Sequence, residues 1–370
     1  MKPLALILGV AVFLSTVHWY LVERPGRVVS EVAVAGRQVL VRQARSLKLP
    51  PVPGSPVGFD CNNPVYRDGD SVYCFTSHEH PFRGVASGLE SLGSATAERV
   101  RIDNDPTWKE GGRWIESVYK HPGGRLYAWY HNEPPGVVPL RPELTAPRVG
   151  QMFSDDDGLN WHDQGIVLDA EAESFSTNTL NQYFGGGHGD FTVIPDRTGA
   201  YFYFLFSTYP RETGEQGVAI ARMPAAEIEH PAGKVTKWHD GRWSEPGLGG
   251  RATPVFGVGS DWHGRKVDAL WGPSVHWNSH LKEYVVLLNH ASDGGFRQSG
   301  VYIAFSPRLD DPSTWTRPAK LMDESVVTDL TGWYPQVVGT DAEGRESDRE
   351  AGRVSRLFVR GRSDWILEFR

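Results

Sequence analysis

The sequence lacks the features that mark several common classes of protein. Only two of its 370 residues are cysteine, and two thiols alone argue against a zinc site. It has no long basic run, and its formal net charge is -7, so nucleic acid is not expected as a partner. No long apolar run follows residue 21. Contact with a membrane is therefore expected only through the N-terminal segment.

Residues 1–23 predict a segment for export. The apolar run at residues 4–21 follows Lys2, and its roughly eighteen residues are enough for a membrane-spanning signal anchor. No small-x-small cleavage site precedes His18, which favours an uncleaved anchor, and a cleaved signal peptide is the alternative. Both alternatives predict an exported domain, periplasmic or extracellular, which an anchor would tether to the membrane.

Residues 24–56 predict a linker between this segment and the folded domain. We interpret residues 30–47 as a short helix and the proline-rich residues 50–56 as a semi-rigid spacer. The folded domain is then expected over residues 57–370. That length suits one large domain with a sizeable core.

The rest of the chain is rich in aromatic residues, with thirteen Trp, thirteen Tyr and sixteen Phe. Residues 185–209 contain several of these aromatic residues in a repeated pattern. A glycine-rich approach delivers His188 and Asp190, and a short apolar strand follows. Residues 195–199 have the composition of a turn, and the second strand, from Tyr201, is almost wholly aromatic. This pattern predicts a β-hairpin whose second strand is buried on both faces.

The hairpin occurs five times, which organises the whole chain. Each unit has a polar or ionisable residue just before or inside its first strand: Asp60, Glu116, Asp190, His276 and Tyr334. Five repeated antiparallel hairpins predict an all-β fold, a five-bladed β-propeller preceded by the N-terminal hydrophobic helix and the linker. Because the inner strands of a propeller converge on its axis, we expect these residues to meet in one central funnel, with His188 at its rim.

A turn between the second and third hairpins supports the propeller prediction. Residues 154–161 read Ser-Asp-Asp-Asp-Gly-Leu-Asn-Trp and resemble the Asp-box turn of sialidase-like propellers. Asp156 can accept backbone hydrogen bonds across the turn, Gly158 supplies a positive φ, and Trp161 packs back on the blade. We expect this turn to be structural.

Two hairpin openings resemble the five-bladed propeller glycoside hydrolases that attack arabinan, xylan and related polymers. They are residues 60–64, Asp-Cys-Asn-Asn-Pro, and residues 189–191, Gly-Asp-Phe. Residues 271–278, Trp-Gly-Pro-Ser-Val-His-Trp-Asn, and residues 332–337, Gly-Trp-Tyr-Pro-Gln-Val, are similar to bacterial propeller proteins grouped near those hydrolases. The resemblance spans residues 57–370. It implies a glycoside hydrolase that uses carboxylates around the propeller axis.

The resemblance also implies roles for the candidate catalytic residues. Asp60 matches the base of those hydrolases, and Asp190 matches the residue that orients the site and tunes its pKa values. The Glu-Gly-Pro that carries the acid is replaced by Trp271-Gly272-Pro273, which has no carboxyl group. Hydrolysis of a glycoside needs one protonated and one ionised group. Glu116 and His276 are the two candidates for the missing acid.

The expected partner is an oligo- or polysaccharide that enters the funnel. The residues predicted to bind it are His188, Trp114, Trp277, Trp333, Tyr334 and Arg360. No cofactor is expected, and no residue is assigned as a metal ligand. Some propeller hydrolases carry calcium on the axis, so an axial calcium ion is the alternative.

Two other functions remain open. A non-catalytic carbohydrate-binding propeller would keep the aromatic residues and lack a working acid–base pair. A sialidase-like hydrolase would need several arginines to clamp the carboxylate of its substrate. Arg360 and Arg362 are candidates, but no arginine cluster marks the earlier inner strands. The glycoside hydrolase is therefore preferred.

The two cysteines lie on the two strands of the first predicted hairpin. Turn counting brings Cys61 and Cys74 nearly opposite each other, which permits a disulfide in an oxidising compartment. Two buried free thiols are the alternative.

Overall fold

The computed structural model describes residues 26–55, 58–103, 110–326, 333–340 and 346–370. The predicted export segment, residues 1–23, lies outside the described residues. Within the described residues no helix is long and apolar enough to cross a membrane. The helices in these ranges are short 3-10 turns such as Leu89–Ser94, and the rest of the regular structure is strand.

The first strands of the chain build the outer edge of the last blade and then blades 1 and 2. The chain starts with β1 (Val28–Val34) and β2 (Arg37–Lys48). Blade 1 contains β3 (Val65–Asp68), β4 (Ser71–His78), β5 (His80–Ala86) and β6 (Glu98–Arg99). A short β7 (Arg101–Ile102) precedes blade 2, which contains β8 (Arg113–Lys120), β9 (Leu126–Asn132), β10 (Arg148–Ser154) and β11 (Asn160–Leu168). Strand β7 pairs in parallel with β11 and so joins blade 1 to blade 2.

The later strands build blades 3, 4 and 5. Blade 3 contains β12 (His188–Pro195), β13 (Tyr201–Thr208), β14 (Gly217–Pro224), β15 (Thr236–His239), β16 (Arg242–Pro246) and β17 (Phe256–Gly257). Blade 4 contains β18 (Ala269–Asn278), β19 (Glu283–Ala291), β20 (Gln298–Ser306) and β21 (Ala319–Asp323). Blade 5 contains β22 (Pro335–Gly339), β24 (Val354–Val359) and β25 (Arg362–Phe369), with β23 (Glu350–Ala351) pairing back to β18. The prediction of an all-β, five-bladed propeller is confirmed.

Blade 5 is completed by the N-terminal strands, which closes the ring. Strand β2 pairs antiparallel with β25, and β1 pairs with β2. The prediction of a helix at residues 30–47 is wrong, and this part of the predicted linker belongs to the folded domain. The physical reason is tertiary: β25 offers an open strand edge more than three hundred residues away in the sequence. Pairing with that edge buries Val39 and Val41.

Five apolar clusters lie between successive blades and hold the ring together. Residues that mark them are Tyr66 and Ile115 between blades 1 and 2, Phe191 and Phe204 between blades 2 and 3, Leu205 and Val286 between blades 3 and 4, Val285 and Leu367 between blades 4 and 5, and Val65 and Val338 between blades 5 and 1. Successive residues of a strand point to opposite faces of the sheet. Phe204 therefore packs toward blade 2 and Leu205 toward blade 4, which explains why β13 is apolar on both faces.

The turn between β10 and β11 is held by Asp156, as the sequence suggested. Its carboxylate accepts hydrogen bonds from the backbone N–H groups of Asn160, at 2.9 Å, and Leu159, at 3.2 Å. Partial burial raises the pKa of Asp156, but the hydrogen bonds from Asn160, Ser154 and Leu159 outweigh it and lower the pKa to about 2. Gly158 has a φ of +85°. The turn lies between outer strands, away from the axis, and is structural.

The two cysteines are free and fully buried, so the predicted disulfide is wrong. The register of β3 and β4 pairs Cys74 with Val65, four positions beyond Cys61. Cys61 lies instead near the backbone carbonyl of Ile115 on blade 2. Burial raises the pKa of both thiols well above the usual value.

Closure of the ring gives a testable prediction. Replacing Val41 by Asp places an unpaired carboxylate in the cluster between blades 4 and 5, and such a charge costs about 3–5 kcal/mol of unfolding free energy. Ser46→Asp on the exposed side of the same strand is the matched control and should change stability little. Chemical denaturation followed by circular dichroism measures both variants. Equal stability of the two would contradict a structural role for β2.

Candidate active site

The axis of the propeller collects polar side chains through local distortions of the inner strands. The faces of each blade pack against neighbouring blades, so a regular inner strand directs its side chains into the blade interfaces. Glu116 lies at a register shift in β8, and Asp190 lies at a register shift in β12 with a φ of +40°. Tyr334, just before β22, has a φ of +55°. Bulges of this kind re-aim a side chain, and here they turn these residues toward the axis.

Glu116 is buried at the centre of the site and has a partner for each carboxylate oxygen. Its Oε1 lies 3.1 Å from Nδ1 of His131 on β9. Its Oε2 accepts a hydrogen bond of 3.1 Å from the backbone N–H of Phe191 and one of 3.5 Å from Nδ2 of Asn62. Burial raises the pKa of Glu116 to about 7, against the lowering effect of His131.

One proton is shared between Glu116 and His131. Burial lowers the pKa of His131, but the hydrogen bond to Glu116 and the charge of Glu133 outweigh it and raise that pKa to about 9. The backbone N–H of Asp190 also points at Nδ1, at 3.3 Å. The proton therefore lies either on Nδ1 or on the Glu116 carboxyl. In both arrangements Nε2 carries a hydrogen, and Nε2 lies 3.5 Å from Oε1 of Glu133 without a hydrogen bond to it.

Asp190 is a buried carboxyl held by two tyrosines. The hydroxyl of Tyr209 donates to Oδ2 and the hydroxyl of Tyr334 donates to Oδ1, each at 3.0 Å. These donors come from blades 3 and 5, so Asp190 connects non-adjacent blades near the start of β18. Burial raises the pKa of Asp190 above its usual value, although His131 and the two hydroxyls oppose the shift.

Gly272 keeps the side of blade 4 open next to Asp190. Its φ is +55°, and an added Cβ would lie 2.4 Å from Nδ2 of Asn289. Asn289 in turn accepts the backbone N–H of Tyr334 at 2.9 Å. A side chain at residue 272 would therefore disturb the residues that present Tyr334 to Asp190.

Two acidic side chains of this group are open to solvent. Asp60 is 33% exposed, and its carboxylate lies 3.7 Å from Nδ1 of His78. Glu133, directly after β9, is 39% exposed. Partial burial raises the pKa of Glu133 to about 7, opposed by the charge of His131 and helped by repulsion from Asp190 and Asp60. Asp60 and Glu133 are thus close enough to interact electrostatically.

Glu116, His131 and Asp190 form a candidate cation site, because each offers one ligand atom within 4.8 Å of the others. Calcium prefers oxygen ligands, and this set includes a nitrogen. Both oxygens of Asp190 and both oxygens of Glu116 already accept hydrogen bonds. Nδ2 of Asn62 also donates to the carbonyls of Phe191, at 2.9 Å, and Pro273, at 3.0 Å, which places a hydrogen-bond donor on the axis. These residues fit a hydrogen-bonded centre better than an axial calcium site.

Several residues predicted for the site lie together. Asp60, Glu116 and Asp190 lie close enough together to interact electrostatically with one another or with Tyr334. Tyr334 binds Asp190 directly, and the ring of Trp114 lies 5.7 Å from that of His131. These placements agree with the expected convergence, while the chemical roles stay predictions.

Trp333 and Arg360 form a neighbouring pair at the start of blade 5. The guanidinium of Arg360 lies 5.6 Å from the centre of the Trp333 ring, and Nε1 of Trp333 donates to the carbonyl of Phe296. Both residues lie beside Tyr334 in the fold. Their predicted contact with a sugar stays a prediction.

His276 and Trp277 do not reach the funnel, which corrects the expectation from sequence. His276 pairs across the sheet with Val285 and faces Phe369 of blade 5, with the ring centres 6.0 Å apart. Burial lowers its pKa to about 3, so it is a neutral core residue. Trp277 lies at the far end of β18, where Arg197 covers its ring. A regular strand directs both side chains into blade interfaces.

His188 is also outside the funnel and not at its rim. Its ring packs on Phe206, 4.7 Å away, on the face of blade 3 that meets blade 2. Burial, with a smaller effect of Lys237, lowers the pKa of His188 well below the usual value. The bulge at Asp190 explains the difference, because it turns Asp190 to the axis and leaves His188 on the blade face.

Comparison with known proteins supports the fold. No family model and no curated protein matches the sequence. Among solved structures, an endo-arabinase from Bacteroides thetaiotaomicron matches over 87% of this chain and 96% of its own, with 14% identity and a TM-score of 0.52. An alpha-L-arabinofuranosidase from Lactobacillus brevis matches over 83% and 89%, with 11% identity and a TM-score of 0.52. The chain has the fold of five-bladed propeller glycoside hydrolases.

Sequence reasoning missed His131 and Glu133, which complete the centre of the propeller fold described here. His131 lies at the end of β9, the second strand of the hairpin, and Glu133 comes directly after it. The sequence pattern considered only the first strand of each hairpin, which contains Glu116. In an antiparallel hairpin the end of the second strand lies beside the start of the first, and His131 pairs with Trp114. The sequence His131-Asn132-Glu133 was the available signal.

The tyrosine contacts of Asp190 give a second prediction. Tyr334→Phe removes one donor from a buried carboxylate and should cost about 1–3 kcal/mol of unfolding free energy at pH 7. The hydroxyl favours the ionised carboxylate, so the loss should shrink at acid pH, where Asp190 is protonated. Urea denaturation at several pH values measures this. Tyr302→Phe on β20 is the control, and an equal, pH-independent loss in both variants would contradict the assignment.

Proposed function

We propose that the protein is a glycoside hydrolase-like enzyme that cleaves a glycan in the central funnel. The observation that carries the proposal is the solvent-open carboxylate of Asp60 beside a buried acidic centre at the propeller axis. Glycoside hydrolysis needs one ionised and one protonated group around the scissile bond, and neighbouring carboxyl groups with different surroundings can supply both near neutral pH.

The surroundings of each carboxyl group favour different roles. Asp60 is the base that takes a proton from the attacking water, since its side chain is open to solvent. Asp190 is an orienting and pKa-tuning group, because both its oxygens are occupied by tyrosine hydroxyls. Glu116 has no exposed side-chain surface, so it acts through His131 and not on the substrate itself.

The proposed substrate class is an oligo- or polysaccharide. The solved structures with the same fold carry the names endo-arabinase and alpha-L-arabinofuranosidase, so arabinan and arabinofuranosides are the first substrates to test. The carboxyl groups of Asp60 and Glu133 would repel an anionic sugar. A neutral glycan therefore fits better than the sialic acid of a sialidase.

A non-catalytic carbohydrate-binding propeller is the second candidate. One observation favours it: blade 4 brings the buried Trp271 and Gly272 to the place where the related hydrolases have their acid. Binding of a glycan without any cleavage, measured across a broad panel, would support this function over the enzyme.

We also propose that the domain is exported, as the apolar residues 4–21 suggest. Fractionation of cells that express the full chain should find it in the membrane or outside the cytoplasm. A chain without residues 4–21 is the control and should remain inside. Full-length protein that is soluble in the cytoplasm would contradict this proposal.

The catalytic proposal predicts that Asp60→Asn lowers turnover of a cleaved glycoside at least about a hundredfold, the usual scale for loss of acid–base help. Asp70→Asn is the matched control, since Asp70 lies in the exposed turn at the opposite end of the same hairpin. Both variants should bind substrate and unfold like the wild type. Unchanged turnover of Asp60→Asn would overturn the mechanism.

A further inference from the structure

We propose that Glu133 is the general acid of this propeller, supplied by the second strand of blade 2 in place of the acid missing from blade 4. This inference rests on the proposed hydrolase function. It assigns a catalytic residue that neither the hairpin pattern nor the resemblance indicated.

Among the ionisable side chains at the propeller axis, Glu133 is chosen as the acid because a substrate can reach it. The side chains of Glu116, His131 and Asp190 are almost wholly enclosed. Glu116 and His131 bind each other, and the carboxylate of Asp190 is bound by two tyrosine hydroxyls. Among the described residues of the site, Asp60 and Glu133 are the two that combine an open carboxyl group with an electrostatic interaction with this centre. A general acid must come within hydrogen-bond reach of the leaving oxygen, which a fully buried carboxyl cannot do.

The residues behind Glu133 suit a proton donor. Glu116, His131 and Glu133 form a row, with 3.1 Å between the first two groups and 3.5 Å between the last two. Nε2 of His131 carries a hydrogen in either arrangement of the shared proton and lies close enough to the Glu133 carboxyl for an electrostatic interaction. When Glu133 gives up its proton, this N–H stabilises the carboxylate that remains. His131 and Glu116 are therefore positioning residues.

The protons balance in a mechanism in which water displaces the leaving group directly at the anomeric carbon. The Glu133 carboxyl transfers its proton to the glycosidic oxygen while the bond from that oxygen to the anomeric carbon breaks. Asp60 takes a proton from the water whose oxygen forms the new bond to that carbon. The products are a reducing sugar and an alcohol, with Glu133 ionised and Asp60 protonated, and exchange with solvent restores both.

Glu133→Gln tests the assignment through the leaving group. A general acid matters most when the leaving group is a poor one. Turnover of an unactivated arabino-oligosaccharide should fall at least about a hundredfold, while that of 2,4-dinitrophenyl α-L-arabinofuranoside should fall less than about tenfold. Glu143→Gln, an exposed residue in the loop after β9, is the matched control. Equal losses on both substrates would overturn the assignment.

A second measurement needs no substrate. The pKa of Glu133 is about 7 in the folded protein and near its ordinary value of 4.5 in the unfolded chain, so the wild type loses stability as pH rises between these values. Glu133→Gln cannot ionise. Its melting temperature relative to wild type should rise across this window, because the wild type alone is destabilised by ionisation of this carboxyl. Glu143→Gln should show no such rise, and a constant difference for Glu133→Gln would contradict the proposal.

The two proposals fail in different ways. If the wild type cleaves no glycan, the proposed function is wrong, and if Asp60→Asn leaves hydrolysis intact, the role of Asp60 as base is wrong. If Asp60→Asn abolishes hydrolysis and Glu133→Gln is insensitive to the leaving group, only the acid is wrongly assigned. His131→Gln gives a further check on the positioning role, because His131 lowers the pKa of Glu133 and its loss should move the basic limb of the pH–rate profile upward.

Discussion

The centre of this propeller depends on the need to satisfy carboxyl groups that are buried at its axis. A buried carboxyl is costly unless every oxygen has a partner. Tyr209 and Tyr334 supply donors to Asp190 from two different blades, and His131 and the backbone N–H of Phe191 supply them to Glu116. The contact of Tyr334 with Asp190 and that of Phe191 with Glu116 join different blades, so they exist only when the blades are closed around one another. The chemistry of the site and the integrity of the ring are therefore linked.

Blade 4 brings Trp271 to the position that the resemblance assigns to the acid, and the ring of Trp271 packs on that of Tyr334. The inner strand of blade 4 passes the axis at Gly272, and the space there is used by Asn289, which presents Tyr334 to Asp190. A carboxyl side chain at this point would compete with that arrangement. Blade 2 instead places Glu133 at the solvent side of the centre, with Glu116 and His131 behind it. In the mechanism that we propose, blade 2 and not blade 4 therefore supplies the proton donor.

Closure of the ring has its own physical basis. Strands β1 and β2 add to β25, so the first and last parts of the described chain share one sheet. The apolar clusters then form a continuous series from blade to blade, and each inner strand packs on two neighbours. An open ring would expose Val41 and its neighbours on the outer edge of blade 5 and would loosen the contacts across the axis. Stability and alignment of the site come from the same closure.

The sequence by itself determined the architecture, because hairpin spacing and aromatic strands that alternate between two buried faces are local patterns. It also found Asp60, Glu116 and Asp190, whose polar character is unusual at the start of an apolar strand. Only the tertiary structure decided which side chains face the axis, because bulges turn Glu116 and Asp190 inward and regular geometry sends His276 to a blade interface. Pairing of β2 with β25 and the approach of Glu133 to His131 likewise depend on closure of the ring, which no local pattern encodes.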